Sequence, residues 1–262
     1  MKKIIFFDID GTIISEDENA YLPESTLKAI SLAQKNGCYT YVNTGRTICN
    51  IEKRIRDIGF DGYICGCGTY IEHRGENIFY HKTPDDVCRL IEDTVKKCRA
   101  IPVYEGKDAL YYDGEFEKDD RIIMFTNEFL KRGASFFTTQ EKKNFGFDKF
   151  IVWTDENTDK ELLCSVISRY YTIIDRGNGL LENVPKGFSK ATGIYKILDI
   201  LGIDISDAYA VGDSMNDLSM LQAVPNSIAM GQGVSVHKYV SYITDDIYHD
   251  GIWNALRHFE LI

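Results

Sequence analysis

The apolar run Ile4-Ile5-Phe6-Phe7 stops abruptly at Asp8-Ile9-Asp10-Gly11-Thr12, and this junction constrains the fold more than any other stretch of the chain. Four buried-type residues followed by two carboxylates and a glycine read as a core strand opening into a loop. The pattern then alternates. Leu27, Ile30 and Ala33 fall at helical spacing with Gly37 as the stop, and Tyr39-Thr40-Tyr41-Val42 reads as a strand ending at Asn43-Thr44-Gly45-Arg46. Ile48, Ile51, Ile55 and Ile58 predict a second helix on one face, closed by Gly59. Tyr63-Ile64-Cys65 predicts a third strand, and Tyr70 to His73 with Ile78 to Tyr80 a hairpin turning near Arg74-Gly75. Such βαβαβ order implies an α/β fold with a doubly wound, mostly parallel, Rossmann-like sheet and right-handed crossovers.

Near Lys82 the texture changes. Val87, Leu90, Ile91, Val95 and Cys98 predict a helix, followed by strand runs at Val103-Tyr104 and Leu110-Tyr111-Tyr112. Further strands are expected at Phe150-Ile151-Val152-Trp153, Tyr171 to Ile174 and Leu180 to Val184, with a helix near Glu161 to Ser168. Strands grouped with few crossover helices imply an α+β domain, residues 82–185, inserted into a core made of residues 1–81 and 186–262. Its connections fall near Lys82-Thr83-Pro84 and Val184-Pro185-Lys186-Gly187, where proline and glycine suit a domain boundary. After it the alternation returns: Ile194, Ile197, Leu198 and Leu201 form a helical stripe ending at Gly202, and Ala208-Tyr209-Ala210-Val211 reads as a strand.

Composition narrows the function. A chain of 262 residues with 44% hydrophobic and 27% charged residues is expected to be globular. No apolar stretch approaches the ~18 residues of a membrane span, and Met1-Lys2-Lys3 leads straight into a strand, so neither a span nor a secretory signal is expected. The net charge of -10 speaks against a nucleic-acid surface, which needs clustered Lys and Arg. Seven cysteines, with Cys65-Gly66-Cys67 the one close pair, read as free thiols of a cytoplasmic protein; a metal at that pair is the alternative. The five histidines show no ligand spacing.

In open α/β sheets the ligand crevice lies beyond the carboxyl ends of the strands, where Asp8 and Asp10 fall. Val211-Gly212-Asp213-Ser214-Met215-Asn216-Asp217 is a second strand running into an acidic loop. Thr44-Gly45 ends another strand, with a hydroxyl and amides able to hold a phosphoryl oxygen. Lys190 begins a helix, an odd place for a cation unless it serves an anion. A turn carboxylate, a strand-end threonine or a solvated lysine would each be unremarked alone. Four sites at sheet ends in this order need a common explanation.

The set Asp8-Ile9-Asp10-Gly11-Thr12, Thr44-Gly45-Arg46, Lys190 and Gly212-Asp213-Ser214-Met215-Asn216-Asp217 resembles the four motifs of the haloacid dehalogenase superfamily. The long insert, and the ending from Met230-Gly231 through Ile243-Thr244 to Asp250-Gly251, resemble its Cof-type, sugar-phosphatase-like branch. Two departures stand out: Cys67-Gly68 where that branch often has Asn-Gly, and Ala191 where glycine usually follows the lysine. The resemblance implies a phosphatase in which Asp8 attacks phosphorus and Asp10 exchanges protons with the leaving alcohol and water. Thr44, Gly45, Lys190 and Asn216 would hold the phosphoryl group. Four carboxylates beside a phosphate dianion call for a divalent cation, and hard oxygen ligands favour Mg²⁺. Asp8 and Asp213 are its side-chain ligands by this reading, the Asp10 carbonyl is a ligand implied by the family, and Asp217 orients them from behind.

The expected activity is hydrolysis of small phosphorylated metabolites such as sugar phosphates. A phosphomutase using the same nucleophile is the alternative, and a sensor lacking catalysis is disfavoured because Asp8 and Asp10 are both present. Substrate choice is expected to reside in the insert, where Tyr104, Tyr111, Tyr112 and Trp153 suit either a sugar surface or, more simply, the core face of a small sheet. Oligomeric state is not legible in the sequence.

Overall fold

A computed structural model describes residues 2–142 and 145–262. In chain order its first elements are β1 (Ile4–Phe7), α1 (Glu24–Lys35), β2 (Tyr39–Asn43), α2 (Lys53–Arg56), β3 (Gly62–Cys65), β4 (Tyr70–His73) and β5 (Glu76–Tyr80). There follow α3 (Asp85–Lys97), β6 (Ile101–Glu105), β7 (Leu110–Tyr112), α4 (Asp120–Lys131), β8 (Phe136–Thr138), β9 (Lys149–Trp153), α5 (Lys160–Ile167), β10 (Tyr171–Asp175) and β11 (Leu180–Pro185). The last are α6 (Lys190–Leu201), β12 (Ala208–Gly212), α7 (Leu218–Ala223), β13 (Asn226–Ala229), β14 (Tyr242–Ile243) and α8 (Gly251–His258). Two compact units result, one of residues 1–45, 58–79 and 189–262, the other of residues 46–57 and 80–188.

The first unit carries an eight-stranded sheet in the order β14-β13-β12-β1-β2-β3-β4-β5. From β14 to β3 every pairing is parallel, and β4 turns antiparallel to β3. This is the doubly wound α/β arrangement. β1 lies between β2 and β12, so successive crossovers leave it in opposite directions and a crevice opens beyond its carboxyl end. Ile4, Ile5, Phe6 and Phe7 are all fully buried, which is why the run shows no alternation. One face of the sheet packs Ile4, Phe6, Tyr41 and Ile64 against Ile194, Ile197 and Leu198 of α6 and Met220 and Leu221 of α7. In α1 the buried face is Thr26, Ala29, Ile30 and Ala33, whereas Leu27 is exposed.

The second unit is α+β. Its sheet runs β10-β11-β9-β6-β7-β8, antiparallel except where β7 meets β8. Tyr104, Phe150, Val152 and Leu181 face α3 and α5, while Val103, Ile151 and Trp153 face α4. Tyr104 therefore sits in an aromatic core with Phe145, Phe147 and Phe150, and Trp153 meets Phe125 edge-on. Tyr111 and Tyr112 are half-buried.

The helix expected over Ile48 to Ile58 does not form. Ile48–Asn50 is a single 3-10 turn, Ile51 is extended at φ -91° and ψ 115°, and α2 is one turn long. The segment is held by partners in the second unit instead: Cys49 Sγ donates to the Gly106 carbonyl at 3.3 Å, and buried Arg46 pairs with Glu52 at 3.4 Å. It accordingly groups with that unit, away from the core to which residues 1–81 were assigned. At the other connection Val184 and Pro185 belong to β11, where Pro185 is in register with Tyr171. All seven cysteines are free thiols. Among the described residues no helix is long and apolar enough to cross a membrane.

Candidate active site

The site lies wholly within the first unit, where the loops after β1 and β12 and the start of α6 meet. Asp8 continues β1, its amide donating to the Val211 carbonyl of β12 at 3.0 Å, and its side chain is 6% exposed. The chain then turns at Gly11, whose φ of +75° excludes most side chains. Space excludes them too: a Cβ there would stand 2.3 Å from Asp213 Oδ2. Thr12 Oγ1 donates to Asp213 Oδ1 at 3.1 Å, tying the two acidic loops together.

Lys190 resolves its odd position at a helix start. It is the first residue of α6, behind a Ser189–Thr192 capping box, and its side chain is only 1% exposed. Its ammonium donates to Asp8 Oδ1 at 2.7 Å and Asp217 Oδ1 at 2.5 Å. Its backbone carbonyl accepts from Asn43 Nδ2 at 3.0 Å, so both ends of the residue are fixed. Asp217 is fully buried and uses its second oxygen to accept from the amides of Asp213 (2.9 Å) and Ser214 (3.1 Å). Thr44, buried at the end of β2, donates its amide to the Ile64 carbonyl, and its own carbonyl accepts from the Cys67 amide at 3.1 Å. Cys67 itself lies in the left-handed region at φ +56°. Gly45 and Asn216 are half-buried, the one after β2 and the other in the turn after β12. Asp10, half-buried, stands close enough to Asp8 to raise its pKa.

Electrostatics in the cluster are unbalanced. Burial and Asp217 push the Asp8 carboxyl well above the usual carboxylate range, with Lys190 opposing. Burial and Asp217 likewise raise Asp213 to about 7, against the Thr12 hydroxyl. Burial alone would lower the Lys190 ammonium, but Asp217 and Asp8 outweigh it and hold its pKa above the ordinary value. The lysine is charged, and one buried ammonium cannot serve Asp8, Asp10, Asp213 and Asp217 together.

Asp8, Asp213 and Asp217 each offer a carboxylate oxygen, all within 4.8 Å of one another, a set suited to a divalent cation. Asp217 already spends both oxygens on Lys190 and two amides, which makes Asp8 and Asp213 the pair better suited to hold such a cation. Neither Cys65 nor Cys67 belongs to this group. Two contributors escaped the sequence. Asn43 holds the Lys190 backbone, and Gln232 Nε2 donates to the Gly11 carbonyl from the loop after β13. The Met230-Gly231 pair was the one signal near the second; nothing local marks the first.

Comparison with known proteins identifies the family. A model of the haloacid dehalogenase-like hydrolase family matches residues 5–256. A Bacillus subtilis protein provisionally named a phosphatase is 28% identical over 280 residues, covering 99% of this chain and 98% of its own. A 5-amino-6-(5-phospho-D-ribitylamino)uracil phosphatase of the same organism is 25% identical over 263 residues, with 99% of this chain and 96% of that protein covered. Among solved structures, a sugar phosphatase of subclass IIB superposes with a TM-score of 0.81 at 27% identity, covering 99% of this chain and 100% of that one.

Proposed function

This chain belongs to the haloacid dehalogenase-like hydrolase family, in its Cof-type branch, and we propose that it is a Mg²⁺-dependent phosphatase of small phosphorylated metabolites. The observation that carries the reading is the buried Asp8–Lys190–Asp217 bridge at the end of the central strand, with Asp213 beside it. It presents a nucleophile, a fixed cation and a metal-suited carboxylate pair at one point.

In the proposed reaction a carboxylate oxygen of Asp8 attacks phosphorus, the P–O bond to the alcohol breaks, and Asp10 gives its proton to the departing oxygen. Asp8 then carries the phosphoryl group. Asp10, now a carboxylate, takes a proton from water as the water oxygen attacks phosphorus and the bond to Asp8 breaks, returning both residues to their starting state. Lys190, Thr44, Gly45 and Asn216 would stabilise the charge on the phosphoryl oxygens, which is most of what phosphoryl transfer demands. Asp8, Asp213 and the Asp10 carbonyl would hold Mg²⁺, which when bound neutralises charge between carboxylates and phosphate. Asp217 would keep Lys190 and the Asp213 turn in place without touching substrate.

Sugar phosphates, or polyol phosphates of similar size, are the proposed substrates, in keeping with what the related phosphatases are named for acting on. The inserted α+β unit is the proposed cap that selects among them. The test is phosphate release over a panel of phosphorylated metabolites with Mg²⁺. Asp8→Asn should abolish turnover while leaving the melting transition in place, because an amide is a poor nucleophile and a poor ligand. Appreciable hydrolysis by purified Asp8→Asn would overturn the covalent route.

A further inference from the structure

The loop after β13 touches both acidic loops of the site. Met230 donates its amide to the Gly212 carbonyl at 2.9 Å, and Gly233 donates back to the Met230 carbonyl at 2.9 Å, closing a tight turn. Gly233 lies flat on the Asp213 backbone: a Cβ there would stand 2.3 Å from the Asp213 carbonyl oxygen and 2.7 Å from its Cα. From the same turn Gln232 reaches the other loop, its Nε2 donating to the Gly11 carbonyl. Gly11 follows Asp10 directly, and its own amide donates to the Ile14 carbonyl at 2.8 Å. Gly11 is therefore held at both of its backbone groups, its amide by the Ile14 carbonyl and its carbonyl by a side chain from a different crossover, so the two peptides that flank it next to Asp10 are each fixed once.

We infer that Gln232 is a positioning residue that sets the aim of the Asp10 carboxyl toward the leaving-group oxygen. The inference rests on the proposed reading of Asp10 as proton donor and goes beyond it by naming what orients that donor. The physical reason is geometric. A general acid acts only within hydrogen-bond reach of the oxygen it protonates, and small errors in orientation carry large penalties. Asp10 is half-buried on a loop that turns through a left-handed glycine; Thr12 ties the far side of that turn to Asp213, and the glycine next to Asp10, with no side chain of its own, is left to be constrained through its carbonyl. Gln232 supplies that constraint while remaining solvent-exposed itself, so its replacement does not open a cavity. It does not touch the reacting atoms.

The consequence is selective. A leaving group that departs as a stable anion needs no proton, whereas one of high pKa does. Gln232→Met keeps the length and removes the donor. The experiment compares kcat/KM of wild type and Gln232→Met on p-nitrophenyl phosphate and on phenyl phosphate, whose phenol has an ordinary pKa of ~10. The expected result is at least a tenfold larger loss on phenyl phosphate than on p-nitrophenyl phosphate, with an unchanged melting temperature. Equal losses on both substrates, or no loss on either, would show that Gln232 does not act through the proton donor. Failure of the underlying reading looks different: wild type would then hydrolyse neither ester, or Asp10→Asn would show no dependence on the leaving group.

Discussion

Replacing Lys190 by Met should separate what the buried ammonium does for stability from what it does for chemistry. Met has similar length and no charge, so packing is largely kept while two charge-assisted hydrogen bonds, to Asp8 and Asp217, are lost. The three side chains are 1%, 6% and 0% exposed, so water does not replace the missing partner. Breaking a buried pair by removing one member costs ~3–5 kcal/mol, because the charge left behind is uncompensated. With a urea m-value of about 3 kcal/mol/M, at the upper end of the range for small proteins, the unfolding midpoint should fall by roughly 1–1.7 M. The measurement is made with a chelator present, so that no divalent cation takes the place of the ammonium. The pH dependence has a definite sign. Without Lys190 the Asp8 carboxyl, already raised by burial and by Asp217, is pushed further above its unfolded pKa, so the folded variant binds a proton that the unfolded chain does not; the deficit therefore shrinks as pH falls from 7 toward 5. Adding Asp217→Asn removes one of the repelling charges and should recover part of the stability but none of the activity, which falls at least ~10²-fold with the loss of a charge donor to the transition state. An unchanged midpoint for Lys190→Met would refute the claim that this cation holds the acidic loops together.

Activity should vanish in excess chelator and return with Mg²⁺, and Asp213→Ala should need far more Mg²⁺ for half-recovery, read from a titration of initial rates. In the second unit, Glu182 accepts from Lys149 at 2.5 Å and from Arg176, and although burial opposes them these cations hold its pKa at about 2. A folded-state value some 2.5 units below the ordinary one contributes ~3 kcal/mol, fully present above pH ~4.5 and lost as pH falls toward 2. Glu182→Gln should show that loss at pH 7 in a urea titration. Glu105, 3.5 Å from the same ammonium, is instead raised by burial with Lys149 opposing, so Glu105→Gln should leave stability unchanged or increased.

Most strands were legible because they carry their evidence locally. Ile4 to Phe7 could hardly be anything but a doubly covered strand, and Tyr39 to Val42 ends at the same level of the sheet for the same reason. The segment from Ile48 to Ile58 failed because an isoleucine stripe says only which side could be buried. Where it is buried was decided by Gly106, 57 residues further on, which takes the Cys49 thiol. α4 and β8 had no counterpart in the sequence expectations. In α4 the run Ile122-Ile123-Met124-Phe125 hides any helical period, and its Ile123 and Met124 stay exposed while Ile122 is buried.

At the site, the sequence reading cast Asp213 as a ligand and Asp217 as its support, a division that spacing alone does not make. Asp213 and Asp217 stand four residues apart in one turn, and spacing treats them alike. Hydrogen bonds distinguish them. Asp217 spends one oxygen on Lys190 and the other on two amides, so it is committed to holding the turn and the cation in place. Asp213 accepts from a neutral hydroxyl and has no such cation, and its carboxyl, raised to about 7, carries the unsettled charge of the cluster. A buried acid fully satisfied by the protein is poorly suited to a change of ligand during turnover, whereas one left with charge to be balanced can meet an incoming cation. Asn43 and Gln232 were beyond reach for a different reason: each acts on the backbone of another segment, on Lys190 and Gly11, and a contact of that kind leaves no pattern in the residues around it.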